Sequence, residues 1–168
     1  AKFYENPKQN AFPLELFFMA ERYKQLKELL HTQDLFQNIT ISDYLFTKCL
    51  LFAKVNLPDE EFMLYQRLFE IIHQQLVQPD ILIYLHAPVS ALQASIRKRG
   101  RPYEQSIPDA YLFSIQQTYT HYIKQHNIKT LFVDASNADF LGNEKHLKVI
   151  TEALEKDYED GQHFLTLP

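Results

Sequence analysis

Pro79-Asp-Ile-Leu-Ile-Tyr-Leu85 leads, through a helix starting near Val89, into Arg97-Lys-Arg-Gly-Arg-Pro-Tyr-Glu-Gln-Ser-Ile-Pro108. The first segment is a continuous apolar run bounded by Pro79 and Asp80, the pattern of a parallel strand covered on both faces. The second places four cations, Arg97, Lys98, Arg99 and Arg101, within five residues and interrupts them with Gly100 and Pro102. Glycine and proline end the helix there, so the basic run continues into a movable segment. Planar guanidinium groups on such a lid can fold over a polyphosphate and stabilise the charge that shifts during phosphoryl transfer. The same composition also fits a solvated basic helix end, which the helix dipole favours.

Outward from this stretch, strand and helix alternate without repeats, which predicts one α/β domain with a parallel sheet over residues 1–168. Thr130-Leu-Phe-Val133 is a second buried strand, ending in the small polar run Asp134-Ala-Ser-Asn-Ala-Asp139. Asp134, Ser136 and Asn137 sit at the carboxyl edge, where a loop of an open α/β sheet can offer backbone groups to a flat base or be only a loop. Residues 38–42, Asn-Ile-Thr-Ile-Ser, form a third β-branched run that ends at Asp43.

Helical spacing of Leu16, Met19, Tyr23, Leu26 and Leu30 predicts a helix over about 12–30. Further helices are predicted over 44–55, from Pro58 with a buried stripe of Phe62, Tyr65, Phe69, Ile72 and Leu76, after Pro108, and over 144–158 with a polar tail. On the first helix Glu15 and Arg22 lie nearly two turns apart with Phe18 between them. A carboxylate, a ring and a guanidinium in a row can hold a flat heteroaromatic ligand. The row equally fits a surface Glu, a core Phe and a surface Arg.

With 168 residues, 46% of them hydrophobic and 14% aromatic, the chain can form a substantial core. Its net charge of −4 gives no footprint for polymeric nucleic acid beyond the lid itself. A single cysteine, Cys49, allows no internal disulfide, and no apolar run reaches the length of a membrane span. A cytoplasmic protein is expected. The three glycines, Gly100, Gly142 and Gly161, form no Gly-x-x-x-x-Gly-Lys phosphate loop.

Phe3-Tyr-Glu-Asn-Pro7, Ala11-Phe-Pro-Leu-Glu-Leu-Phe-Phe-Met-Ala-Glu-Arg-Tyr23, Ser42-Asp-Tyr-Leu-Phe46, the strand from Pro79 and Arg99-Gly-Arg-Pro-Tyr-Glu104 follow one another in the order seen in the deoxyribonucleoside kinases. The chain resembles that family over nearly its whole length, and most of all its bacterial deoxyguanosine and deoxyadenosine kinases. The resemblance implies a P-loop-kinase-like three-layer fold with a parallel sheet. It also implies transfer of the γ-phosphate of ATP, with Mg²⁺, to the 5′-hydroxyl of a deoxynucleoside in nucleotide salvage. A homodimer through long helices is implied as well.

By position, Tyr4 and Glu104 match the pair that holds the sugar 3′-hydroxyl. Glu15 and Arg22 match residues that read the base edge, Phe52 matches the ring stacked on the base, and Arg97, Arg99 and Arg101 match the phosphate clamp. An ionised Glu15 accepts only, so it suits the N1–H and 2-amino donors of guanine, while Arg22 can donate to O6 and N7. The expected order is deoxyguanosine before deoxyadenosine.

Two departures qualify the resemblance. Where many relatives have an acid-Arg-Ser triplet, this chain has Ser42-Asp43-Tyr44. Asp43 then falls opposite the arginine and is read as the acid near Mg²⁺, which commonly takes one or two carboxylates plus phosphates and waters. The family's phosphate loop, its acidic general base and the central strand between 38–42 and 80–85 are also absent from the sequence.

Two rival readings follow. A thymidylate-kinase-like nucleotide kinase would need a basic site for the acceptor's phosphate near Glu15 or Tyr4, where none is seen. A non-catalytic nucleoside-binding module is suggested by the missing loop. On the kinase reading, a segment carrying the strand, the phosphate loop and the base precedes Ala1, and the natural polypeptide is heavier than the 19.9 kDa of residues 1–168. Intact mass spectrometry with an ATP-binding titration checks this; a 19.9 kDa protein that turns over as a kinase refutes it.

Overall fold

The computed structural model describes residues 7–31, 39–43 and 45–168. The chain divides into two compact units, Ala1–Gln78 and Pro79–Pro168. None of the described helices is long and apolar enough to cross a membrane.

The first unit is helical. Helix α1 spans Pro7–His31, α2 Lys48–Asn56 and α3 Asp59–His73. Pro58 precedes α3, and Asp59, Glu60 and Glu61 fill its first turn, where carboxylates meet the positive end of the helix dipole. The predicted stripe of α3 is the one that packs: Tyr65, Phe69 and Leu76 are buried, with Phe62 and Ile72 against them. They close a core with Ala11 and Met19 of α1 and Cys49 and Ala53 of α2. Phe46 and Phe69 stack at 5.2 Å.

The predicted strand at 38–42 is not found. Asn38 lies outside the described residues, and 39–42 form neither helix nor strand, with Ile39 and Ile41 strongly exposed. β-branched residues favour a strand only where a neighbouring strand takes up their backbone groups, and none of the described strands pairs with this run.

The second unit is a parallel sheet with helices. Strand β1, Leu82–His86, leads through α4, Val89–Arg99, a short 3₁₀ turn at Pro102–Glu104 and α5, Asp109–Gln125, to β2, Thr130–Asp134. Helix α6, Glu144–Leu154, then leads to β3, Gln162–Thr166. The order is β1-β2-β3, with Tyr84 opposite Phe132 and Phe132 opposite Phe164. One sheet face is aliphatic, where Leu131 and Val133 pack on Ile150 and Ala153 of α6. The other carries the aromatic row Tyr84, Phe132 and Phe164, with Tyr119 of α5 at 5.7 Å from Tyr84.

Two expectations are corrected here. The last helix stops at Leu154 rather than near Tyr158, and the polar tail is strand β3. Its sequence Gln-His-Phe-Leu-Thr alternates in polarity weakly, but Gly161, at φ 118°, makes the turn that starts it, and the Gly161 carbonyl accepts from Thr130 N–H at 2.8 Å. Strand β1, expected to be covered on both faces, is only partly buried and leaves Leu85 half exposed, because it is an edge of the described sheet. The fully covered strand is β2, whose Leu131 and Val133 are almost completely buried. Truncating Leu131 to alanine is expected to cost about 2–5 kcal/mol by removing packed atoms that the sheet cannot replace. Chemical denaturation measures it, and a loss below 1 kcal/mol would contradict the packing described.

Candidate functional site

Helices α1 and α2 run antiparallel, and two polar contacts record their register. Asn56 Nδ2 donates to Glu15 Oε1 at 2.7 Å, and seven residues away on each helix Arg22 Nη1 donates to Cys49 Sγ at 3.1 Å. The stripe predicted on α1 therefore faces a stripe on α2 made of Lys48, Phe52 and Asn56 at four-residue spacing. Glu15 is 4% exposed, which is unusual for a carboxylate. Tyr65, from the core, donates its hydroxyl to the Glu15 carbonyl at 3.3 Å and so holds the α1 backbone at that point.

The electrostatics follow from burial. Desolvation lifts the Glu15 carboxyl above its ordinary 4.5, against the opposing pull of the Asn56 hydrogen bond and the Arg22 charge. The Cys49 thiol is likewise pushed up by burial, with the Arg22 hydrogen bond acting against it. The Lys48 ammonium is held below its ordinary value by burial and then by the nearby Arg22, partly offset by Asp43. Arg22 also lies over the Phe18 ring at 5.6 Å, and Lys48 over the Phe52 ring at 5.6 Å. Glu15, Phe18, Arg22 and Phe52 are thus brought together with Asn56, Cys49 and Lys48. Tyr4 lies outside the described residues.

Asp43 lies in an exposed bend at the end of 39–42. Among the described residues no group of three or more His, Cys, Asp or Glu side chains is arranged to hold a metal ion. A lone, solvent-facing carboxylate fits Mg²⁺, which keeps several waters and takes its other oxygens from phosphates. It does not fit a closed protein cage.

In the second unit the lid cations divide into two sets. Gly100 takes the left-handed conformation at φ 69° and its N–H caps α4 at the Ile96 carbonyl, 3.1 Å away. The reversal turns Arg99 and Arg101 onto one carboxylate. Arg99 Nη2 lies 2.6 Å from Glu104 Oε2, and Arg101 Nη1 donates to Glu104 Oε1 at 3.2 Å. The Arg99 contact is an ion pair rather than an aligned hydrogen bond. Glu104, expected to face the sugar, is buried and engaged with the arginines. Arg97 points elsewhere, lining a groove with Ser90, Gln93 and Gln105.

After β2, Asp134 turns back on its own loop, its Oδ1 accepting from Ser136 N–H at 3.0 Å and from the Ser136 hydroxyl. These bonds hold the Asp134 carboxyl below the usual range. The Ala135 and Ala138 N–H groups are taken by the carbonyls of His86 and Ala135, so the backbone donors of 135, 136 and 138 are already used. His146 fastens the far side of the loop: Nδ1 accepts from Asp139 N–H at 3.0 Å, and Nε2 lies 2.9 Å from Asn143 Nδ2 and 3.1 Å from the Pro168 carbonyl.

Comparison with known proteins bears on this arrangement. A family profile described as Deoxynucleoside kinase matches residues 1–158. The chain belongs to the deoxynucleoside kinase family. It is 34% identical over 157 residues to the deoxyguanosine kinase of Bacillus subtilis, covering 89% of this chain and 74% of that protein. It is 26% identical over 170 residues to the deoxyguanosine kinase of Lactobacillus acidophilus, covering 90% of this chain and 71% of that one. A solved structure of M. mycoides deoxyadenosine kinase superposes with a TM-score of 0.76 at 23% identity, over 92% of this chain and 78% of that one. The α/β architecture with its parallel sheet is thus the fold of the family, the P-loop kinase fold. Strand β3 begins beyond the last residue of the family match.

Residues that sequence reading missed are Lys48, Cys49, Asn56 and Tyr65. The four-residue spacing of Lys48, Phe52 and Asn56 was a legible signal; the pairing of that stripe with α1 was not. Because the Glu15 value is raised on folding, its contribution is unfavourable and grows as pH climbs from the ordinary 4.5 through the raised value. Glu15→Gln keeps an acceptor for Asn56 and removes the buried charge. The variant is expected to melt a few degrees higher than the parent, roughly, at pH 7–8, with the gap closing below about pH 4. Thermal denaturation across pH checks this, and a variant that melts lower at pH 8 contradicts it.

Proposed function

We propose that this chain carries the acceptor site and the lid of a deoxynucleoside kinase that phosphorylates the 5′-hydroxyl of a purine deoxynucleoside with ATP, deoxyguanosine ahead of deoxyadenosine. The observation that carries the base preference is Glu15. A buried carboxylate that keeps one oxygen on Asn56 has acceptor capacity left for two adjacent donors, and guanine presents N1–H and the 2-amino group side by side. Adenine would set its N1 lone pair against the same oxygen.

Phe52 and Phe18 offer rings for stacking, and Arg22, fixed by Cys49, offers donors to the opposite base edge. Tyr4 and Glu104 take the sugar 3′-hydroxyl. Arg97, Arg99 and Arg101 clamp the triphosphate, which requires Arg99 and Arg101 to leave Glu104. Asp134, Ser136 and Asn137 meet the adenine of ATP. Asp43 holds Mg²⁺, which when bound neutralises charge on the phosphates. Residues 1–168 belong to a single deoxynucleoside-kinase-like domain, in a cytoplasmic homodimer. The B. subtilis and L. acidophilus relatives named deoxyguanosine kinase support the substrate class. Transfer then depends on positioning and charge stabilisation rather than on covalent chemistry.

A coupled kinase assay of the natural polypeptide, with the four common deoxynucleosides as acceptors, tests the activity. Deoxyguanosine is expected to give the highest kcat/KM and deoxyadenosine the next. Absence of turnover on every purine deoxynucleoside refutes the proposal. Glu15→Gln is expected to lower the deoxyguanosine preference by about 10–100-fold. Alanine at Arg97, Arg99 or Arg101 is expected to lower kcat at least about tenfold in one case or more, with nucleoside affinity nearly unchanged. Three near-silent variants would return the segment to a solvated helix end.

A further inference from the structure

Lys48 stands apart from the other described lysines of the first unit. It is half buried, and among the described residues its ammonium has no hydrogen-bond acceptor or ion-pair partner. Its recorded contact is the face of the Phe52 ring, one turn along the same helix. The cation closest in effect is Arg22, which adds repulsion, while Asp43 offers only a partial offset from an exposed bend. An ammonium carries three donors, and burying it without an acceptor is costly unless something else supplies one.

Geometry narrows what that supplier is. On α2 the order is Lys48, Phe52, Asn56, with each step about 6 Å along the axis. Asn56 marks the acceptor end of the stripe because it holds Glu15. Phe52 is the ring in the middle, and Lys48 is the donor end. A 6-oxopurine lying on Phe52 with N1–H toward Glu15 presents acceptors, O6 and then N7, away from that carboxylate. A 6-aminopurine presents an amino group there, which sets donor against donor. A phosphate would satisfy Lys48 as well, but it would leave the Phe52 face and the Glu15 carboxylate unused.

We infer that Lys48 is a specificity-determining residue that donates to O6 of a 6-oxopurine, working with Arg22 at the edge of the base opposite Glu15. This rests on the base reading proposed above. It makes discrimination two-sided, since Glu15 selects for donors at N1 and C2 while Lys48 selects against a donor at C6. Lys48 is a binding residue and takes no part in phosphoryl transfer.

The test is calorimetric binding of deoxyguanosine, deoxyinosine, deoxyadenosine and 2,6-diaminopurine deoxyriboside to the full chain, as parent, Lys48→Met and Lys48→Arg. Methionine keeps the length and apolar stem of lysine and removes the donors. The methionine variant is expected to lose about tenfold or more in affinity for the two 6-oxo nucleosides and little for the two 6-amino ones. Arginine is expected to recover part of the loss. Equal losses on all four nucleosides, or an unchanged 6-oxo to 6-amino ratio, would overturn the role of Lys48 while leaving the parent's preference intact. A parent that binds 6-oxo and 6-amino bases alike refutes the base reading itself, and the role of Lys48 with it.

Discussion

Burying one carboxylate constrains the helical unit more than any other single contact. Glu15 cannot be withdrawn from water without compensation, because an unpaired buried charge costs several kcal/mol, roughly. The Asn56 amide supplies that compensation and so ties α1 to α2 at one register. Arg22 and Cys49 repeat the tie two turns further on, and the Tyr65 hydroxyl fastens the α1 backbone to the core. An apolar pair at these positions would give a more stable helix pair, so the polar ties hold the register at a cost in stability.

A different constraint organises the second unit. Parallel strands cannot be joined by a tight turn, so each connection must cross a face of the sheet. The β1–β2 crossover is long enough to contain α4, the turn at Pro102–Glu104 and α5. The basic segment is therefore a detour within a structural connection. Both of its ends are held: Gln93 Nε2 bonds the Ile107 carbonyl and the Asp109 carboxylate, and Gln105 Nε2 bonds the Ile96 carbonyl. Between those anchors, only Gly100 departs from a conformation open to every residue.

How far the sequence could be read depended on where the information lay. Helices with a strong periodic stripe were legible, as α3 shows, because Tyr65, Phe69 and Leu76 state their burial in their spacing. Strand β2 was legible from its unbroken apolar run. The run at 38–42 misled because β-branched residues report a preference that only a pairing strand can satisfy. Strand β3 was missed for the opposite reason: Gln162, His163 and Thr166 look polar, while their backbone groups are claimed by β2. At the site, Glu15, Phe18, Arg22 and Phe52 could be named from one helix at a time. Asn56, Cys49 and Lys48 became visible only when two helices were set side by side, since which turn of α2 faces which turn of α1 is a tertiary fact.

The meeting of Arg99 and Arg101 on Glu104 also determines what the basic segment looks like from solution. Two of its four cations share one anion, so the electrostatic potential it projects outward comes mainly from Arg97 and Lys98. At physiological ionic strength that potential fades over about 8 Å. An approaching polyanion is therefore met first by a weak, well-screened field, and the full charge of the segment emerges only after Glu104 has been given another partner. Long-range attraction and short-range grip are in this way separated between different residues of one loop, so that added salt should weaken the first far more than the second.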